Sequence, residues 1–307
     1  MLGYAAMNRT LRERDPPRRC NRDMQKKTWE SEGIEYAATL AAQNFEDLRE
    51  ILLWNRDHGI DFYRCSSKLV PWNSQFDITA LPNYERVQSL AAECGALVQD
   101  NDMRLTFHPS HWCKLASESD DTVARSVESV EHHGRWLDLM GVPRSPRYAI
   151  NVHIGAHYGD KAATADRFCD VVSDLAPRAR DRLTVENDDT ESLWSVQELV
   201  TDVASQVDIP VTFDYHHHSF TDRGLTYREG FELARETWDG ARPITHYSEP
   251  ARLRPDSDAS PQAHADHVAA VPTWLTEQSD VMVESHGKER SLFRLRAADA
   301  DRVPGTE

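Results

Sequence analysis

The stretch VTFDYHHHSF, residues 211–220, decides how this chain is read. An apolar, β-branched run ends in Asp214, and His216, His217 and His218 follow at once. Inside a chain these histidines are no terminal tag. A strand that closes on a carboxylate and an imidazole raises a question about the other apolar runs. If they end the same way, the chain carries a site built from strand ends.

Eight such runs recur: LGYA (2–5), IDFYRC (60–65), RLTFH (104–108), YAINVH (148–153), LTVEN (183–187), VTFD (211–214), ITHYS (244–248) and VMVE (281–284). Helical patterns lie between them. Residues 35–57 place Leu40, Phe45, Leu48, Leu52 and Leu53 at helical spacing. The intervals 83–99, 121–140, 161–176, 195–207 and 226–238 also read as helices, and 264–279 as a helix interrupted by Pro272. Strands alternating with helices imply parallel βαβ units. Eight units in about this length predict a closed (β/α)₈ TIM barrel. A doubly wound sheet is the alternative, but no GxGxxG follows an early strand. Residues 1–290 are expected to form one barrel domain, and 291–307 a loose polar tail.

In a barrel the C-terminal strand ends converge on one face. Here they deliver His108, His153, Glu186, Asp214 with His217 just after it, His246 and Glu284. Imidazoles and carboxylates are ligands for divalent first-row metals. Unconnected core histidines would not track the strand periodicity. The set is large enough for more than one ion, so a metal cluster is expected at the C-terminal face. Three consecutive histidines cannot all point inward, so His217 is the expected ligand and His216 and His218 orient its neighbours. Such sites serve sugar isomerisation as well as phosphodiester hydrolysis, and a cluster of two or three ions favours hydrolysis at phosphorus.

Composition sets limits on partners. The 307 residues are 39% hydrophobic and 28% charged, as in a water-soluble domain. No apolar run approaches the ~20 residues that span a bilayer. MLGY reads directly as a strand, so no secretory leader is expected and the location is expected to be cytoplasmic. Five scattered cysteines without a CxxC pair read as reduced thiols. The net charge is -16, and only six of the 35 basic residues are lysine. That balance is expected of a salt-rich cytoplasm, such as a haloarchaeon's. It argues against nucleic acid unless a local basic region exists. Residues 8–27 supply one, with eight basic residues against three acidic ones. Arg18, Arg19 and Arg22 in this loop are read as a grip on phosphates beside the cluster.

LGYAAMNRT (2–10), NFEDLREILLWNRDHGIDFYRCSSKLVPW (44–72), LTFHPS (105–110), NVHIGAHYGDK (151–161), VENDD (185–189), FDYHHH (213–218) and VMVESHGKE (281–289) come in this order. Together they resemble the UV damage endonuclease family, TIM-barrel nucleases related to endonuclease IV. The resemblance implies incision of DNA directly 5′ of UV photoproducts, leaving a 3′ hydroxyl and a 5′ phosphate. It implies two or three divalent ions, Mn²⁺ first and Mg²⁺ or Zn²⁺ otherwise. His108, His153, Glu186, Asp214, His217, His246 and Glu284 would be the ligands, with Glu186, Asp214 and Glu284 central to catalysis. Tyr4 and Asn8 match residues placed at the lesion and the scissile site.

The departures matter too. His111-Trp112 stands where the family usually has glutamine and an aromatic residue that probe the duplex. Ile244-Thr245 and His286 stand where relatives carry lysines, so two cations are expected to be missing. The implied partner is double-stranded DNA carrying a lesion, bound by a monomer without a membrane or an obligate protein partner. The alternative readings are a sugar isomerase or epimerase of the same barrel type and a lesion-binding protein without catalysis. The scarcity of lysine near the strand ends counts against the isomerase.

Overall fold

The computed structural model describes residues 1–253 and 258–300. The eight short runs all become strands: β1 (Leu2–Ala5), β2 (Phe62–Arg64), β3 (Arg104–Thr106), β4 (Ile150–Val152), β5 (Leu183–Glu186), β6 (Val211–Asp214), β7 (Ile244–Tyr247) and β8 (Asp280–Val283). All pairings are parallel, in the order β3-β2-β1-β8-β7-β6-β5-β4. A parallel bridge between Phe107 and Ile150 joins the two ends. The sheet is therefore a closed barrel, the (β/α)₈ architecture that the alternation implies.

The helices, in chain order, are α1 (Arg9–Arg12), α2 (Lys26–Asp57), α3 (Tyr84–Asp100), α4 (Asp120–Leu139), α5 (Lys161–Asp174) and α6 (Pro177–Arg180). There follow α7 (Val196–Leu199), α8 (Ser205–Val207), α9 (Tyr215–Thr221), α10 (Tyr227–Glu236), α11 (Thr273–Gln278) and α12 (Glu289–Ala300). Helix α2 starts well before residue 35. It bends at Gly33, whose φ of 57° lies outside the helical region and suits only glycine at low cost. A π turn over Val200–Ala204 joins α7 to α8.

Two expectations need correction. The interval 264–279 is helical only over Thr273–Gln278. Pro272 has no N–H to continue a helix and becomes the N-cap. Residues 263–265 instead run antiparallel to 249–251, through Ala251 N to Ala263 O at 2.7 Å and Ala265 N to Glu249 O at 2.8 Å. The segment after 290 is not loose as far as Ala300. Leu292 and Leu295, one helical turn apart, are buried on α12, which packs against β1. Residues 301–307 lie outside the described part.

The two barrel ends differ in chemistry. At the N-terminal end, Asp280 binds buried Arg104 at 2.8 Å, Arg242 at 2.9 Å and the Met1 amino group at 2.8 Å. Fully buried Arg182 ties four backbone carbonyls of the α4–β5 region together, among them Val142 O at 2.7 Å and Arg178 O at 2.9 Å. Those charges are matched and hold the fold. The charges at the other end are not all matched. No described helix is long and apolar enough to cross a membrane.

Candidate metal centre

Strand alternation builds this site. Side chains two apart on a strand share a face. Beneath Glu186 the positions two residues down are Thr184 and, on the neighbouring strand, Asn151 below His153. Thr184 Oγ1 donates to Asn151 Oδ1 at 2.7 Å, and Asn151 Nδ2 donates to Glu186 Oε2. Thr184 and Asn151 thus form a polar layer beneath Glu186 and His153 that holds the Glu186 carboxylate.

Glu186 is the centre, and it is 1% exposed. Around its Oε2 stand His246 Nδ1 at 3.0 Å, His108 Nε2 at 3.4 Å and His153 Nε2 at 3.6 Å. His217 Nδ1 lies 3.3 Å from its Oε1. Burial opposes a charge on Glu186, but His246, His153, His108 and His217 together hold its carboxyl well below the usual range. Burial likewise opposes charge on Glu284, and the Arg64 guanidinium and His246 outweigh it. His217 is pushed up: its burial is overcome by Asp214 and Glu186.

Backbone carbonyls engage one ring nitrogen of His108 and of His217. His108 Nδ1 meets Pro109 O at 2.9 Å, so Nε2 is the free atom. His153 Nδ1 stands 3.3 Å from Asp188 Oδ1 without an aligned hydrogen bond, and its Nε2 lies 3.6 Å from Glu186. His217 Nδ1 meets Asn187 O at 3.0 Å, so its Nε2 is free. His246 is the opposite case. Its Nδ1 lies 3.0 Å from Glu186 and 3.3 Å from Glu284, yet it makes no aligned hydrogen bond.

The donor set fits divalent metal. His108, His153 and Glu186 bring ligand atoms within 4.8 Å of one another, and so do Glu186, Asp214 and His246. Glu186 belongs to both groups, so it could serve either of two ions. Asp214 is fully buried, its Oδ1 caps α9 through His217 N at 2.7 Å, and its Oδ2 has no partner. A buried unpartnered carboxylate oxygen is costly unless a cation meets it. A cavity of about 250 Å³ lies on the His108, His153 and His217 side of the set, lined also by His111, Lys114 and Asp188.

Several residues were passed over in the sequence because they are not strand-end ligands. Arg64, at the end of β2, pairs with Glu284. Lys288 is half-buried near Arg64 and Glu284, and burial together with Arg64 lowers its ammonium. These two cations stand at the mouth although lysines are absent at Ile244 and His286. Ile244 is buried in the barrel interior with Phe62 and Met282, and His286 is exposed. His264 was hidden by the helix expected over 264–279. Its ring centre lies 5.5 Å from that of His216 and 6.4 Å from that of His217, and its Nδ1 is buried without a partner. His218 turns away, toward Leu225 O at 3.1 Å.

Other expected residues sit differently. Tyr4 and Asn8 are buried and bonded to each other at 2.9 Å. Tyr4 Oη donates to Asn55 Oδ1 at 2.7 Å, and Asn8 caps α1 through Leu11 N at 2.8 Å. They hold the first loop rather than line the cavity. Arg22 and Arg18 bind Asp47 of α2, at 2.6 Å and 3.2 Å. Arg19 is exposed. Trp112 is 77% exposed, and the His111 ring lies 4.6 Å from it.

The family described as UV-endonuclease UvdE matches residues 1–304. A UV-damage endonuclease of Schizosaccharomyces pombe is 32% identical over 96% of this chain, and the UV DNA damage endonuclease of Bacillus velezensis is 32% identical over 78% of this chain and 74% of its own length. The chain spans about half the length of the Schizosaccharomyces pombe and Neurospora crassa relatives, 50% and 52%. The crystal structure of SacUVDE superposes with a TM-score of 0.82 at 25% identity, covering 97% of this chain and 98% of the other. A xylose isomerase domain protein from Planctomyces limnophilus, at 14% identity, TM-score 0.53 and coverage of 81% and 90%, shares the fold alone. On this footing, with the barrel and its strand-end cluster in place, the chain belongs to the UV-endonuclease UvdE family.

Proposed function

We propose that the protein is a metal-dependent endonuclease that cuts damaged DNA at the phosphodiester bond directly 5′ of a UV photoproduct, leaving a 3′ hydroxyl and a 5′ phosphate. The observation that carries this reading is Glu186 standing between two groups of metal-ligand atoms at the barrel mouth. His108, His153 and Glu186 would hold one divalent ion. Glu186, Asp214, His246 and Glu284 would hold a second. Asp214 Oδ2, His217 and His264 are suited to a third. Manganese is the metal we assign. Such ions, when bound, supply Lewis-acid stabilisation of charge on phosphate oxygens and make water a better nucleophile.

The protein's own groups do the rest. Arg64 and Lys288 bring positive charge beside Glu284, where a phosphodiester anion would dock. Asn187 fixes the ring orientation of His217, and Asp188 places a carboxylate beside the His153 ring. Exposed Trp112 supplies a stacking wedge, with His111 beside it, at the damaged base pair, where unstacking costs least. Tyr4 and Asn8 position the loop that carries Arg19 toward the DNA backbone.

The test is an incision assay on a labelled duplex with one pyrimidine dimer, in manganese, beside an undamaged duplex and a Glu186→Gln variant. A metal-dependent cut just 5′ of the dimer, absent from the variant, supports the reading. Absence of any cut while metal is bound refutes it.

A further inference from the structure

The cavity of about 250 Å³ beside His108, His153 and His217 has Lys114 on its wall and, among the described residues, no other lysine or arginine. Lys114 comes from the loop after β3, between buried Cys113 and Leu115. Its backbone N donates to Ser126 Oγ at 2.8 Å, and that hydroxyl donates to Thr122 O at 2.7 Å, so α4 holds the base of the side chain. The far end is held too. Nζ donates to Gly155 O at 2.9 Å, and Gly155 lines the same cavity. A Cβ on Gly155 would collide with Nζ, and the Gly155 φ of 63° lies in the region that favours glycine. The bare backbone after β4 thus gives the ammonium its seat.

An ammonium has three donors, and the Gly155 carbonyl accepts one of them. Among the described residues no carboxylate pairs with Lys114. The two acids that line the cavity have other partners. Asp188 Oδ1 stands 3.3 Å from His153 Nδ1, and its Oδ2 accepts from Trp194 N at 3.4 Å. Asp189 Oδ1 accepts from Thr190 Oγ1 at 3.2 Å. Lys114 is half-buried, and holding such a charge without a counter-charge costs free energy that a bound anion offsets. This cation stands on the His108 and His153 side, whereas Arg64 and Lys288 stand beside Glu284. A DNA strand presents its phosphates in series, so two separate cation positions suit it.

We propose that Lys114 positions the substrate strand: its ammonium takes a nonbridging oxygen of a phosphate next to the one that is cut, and Gly155 lacks a side chain so that the ammonium can sit there. DNA as the ligand rests on the endonuclease reading. The contact fixes where the strand lies along the mouth. It does not touch the reacting phosphate, so it acts on binding more than on the chemical step.

A labelled duplex with one pyrimidine dimer is titrated with the full chain in manganese at several salt concentrations, in the Glu186→Gln background so that it stays uncut. Lys114→Met in the same background keeps the apolar stem and removes the charge. It should bind about tenfold more weakly, the worth of one charged contact, and lower the slope of log affinity against log salt by about one. Lys114→Arg should keep the slope and recover most of the affinity. With Glu186 restored, Lys114→Met should raise KM for incision about tenfold and leave kcat within about twofold. An unchanged salt slope in Lys114→Met overturns the proposal, because a merely structural lysine would lower stability and leave the slope alone. So does a fall in kcat at constant KM, which would put Lys114 at the reacting phosphate instead. If the parent cuts nothing while the slope difference persists, the endonuclease reading falls and the phosphate contact stands. A parent that binds no duplex overturns both.

Discussion

Asn187 holds Asp214 by both of its backbone groups. Asn187 Oδ1 accepts from Asp214 N at 2.8 Å, and its Nδ2 donates to Asp214 O at 3.0 Å. The amide side chain thus acts as one more residue of β5 against β6. The Asn187 carbonyl also meets His217 Nδ1 at 3.0 Å. One buried residue therefore fixes the main chain of one candidate ligand and the ring of another. Asn187→Leu would leave those backbone groups unmet, at roughly 1–3 kcal/mol each. It should also lower manganese affinity by about 10–100-fold, as loss of a group that orients ligands does. Denaturant unfolding and calorimetric metal titration would check both. Loss of stability with unchanged metal affinity would remove Asn187 from the site's support.

Arg64 sits beside Glu284 at the mouth, and both are largely buried. Arg64→Met removes the guanidinium that holds the Glu284 carboxyl down. It also removes a cation from the place where phosphate would dock. We expect kcat for dimer incision to fall by about 10²-fold or more, the usual loss for one electrostatic donor. Arg64→Lys should recover part of it. Equal rates for Arg64→Met and the parent would place Arg64 outside the reaction.

Trp112 makes a cleaner probe, since a ring 77% exposed contributes little to the fold. Trp112→Ala should leave unfolding within about 0.5 kcal/mol of the parent. Affinity for a dimer-containing duplex should fall by about 1–3 kcal/mol, the worth of one base–aromatic stack. Trp112→Phe should keep most of it. Fluorescence anisotropy on damaged and intact duplexes gives the comparison, and an equal loss on both would argue against lesion probing.

The basic segment divides by its contacts. Arg22 is spent on Asp47 at 2.6 Å, whereas Arg19 is exposed and only its backbone N meets Asp47, at 2.9 Å. Arg19→Ala should weaken DNA binding of all sequences alike and reduce the salt slope by about one. Arg22→Ala should chiefly lower stability, because it leaves the nearly buried Asp47 carboxylate one partner short. An unchanged salt slope in Arg19→Ala would end the phosphate role for this residue.

The barrel and its candidate ligand positions were legible for one physical reason. Short parallel strands buried on both faces read as apolar runs, and each run ended where polarity began. His108, His153, Glu186, Asp214 and His246 are periodic in that pattern, so their convergence follows from the fold. Arg64 follows the same pattern, but guanidinium is no metal ligand and strand two seemed empty. His264 and Lys288 lie in loops, whose geometry no period encodes. The basic loop looked free because sequence shows charge but not Asp47 folded against it. Helix α12 was missed because Leu292 and Leu295 make only a narrow apolar stripe among charged neighbours.

His133 gives the stability of this protein a dependence on pH that does not involve metal. Its ordinary pKa is near 6.5, and burial lowers it to about 4 in the folded chain. The unfolded chain therefore binds a proton that the folded chain refuses between those values. Stability from this group is complete above pH 6.5 and is lost as pH falls toward 4, by about 3 kcal/mol in all at 1.4 kcal/mol per unit. Carboxylates of the metal centre titrate in acid as well, so the comparison must be with a His133→Gln variant. Urea unfolding of both proteins in chelator, at several pH values from 7 to 4, should show a shallower fall for His133→Gln, by up to one proton. Parallel curves would mean that His133 finds a proton donor or a solvent path in solution.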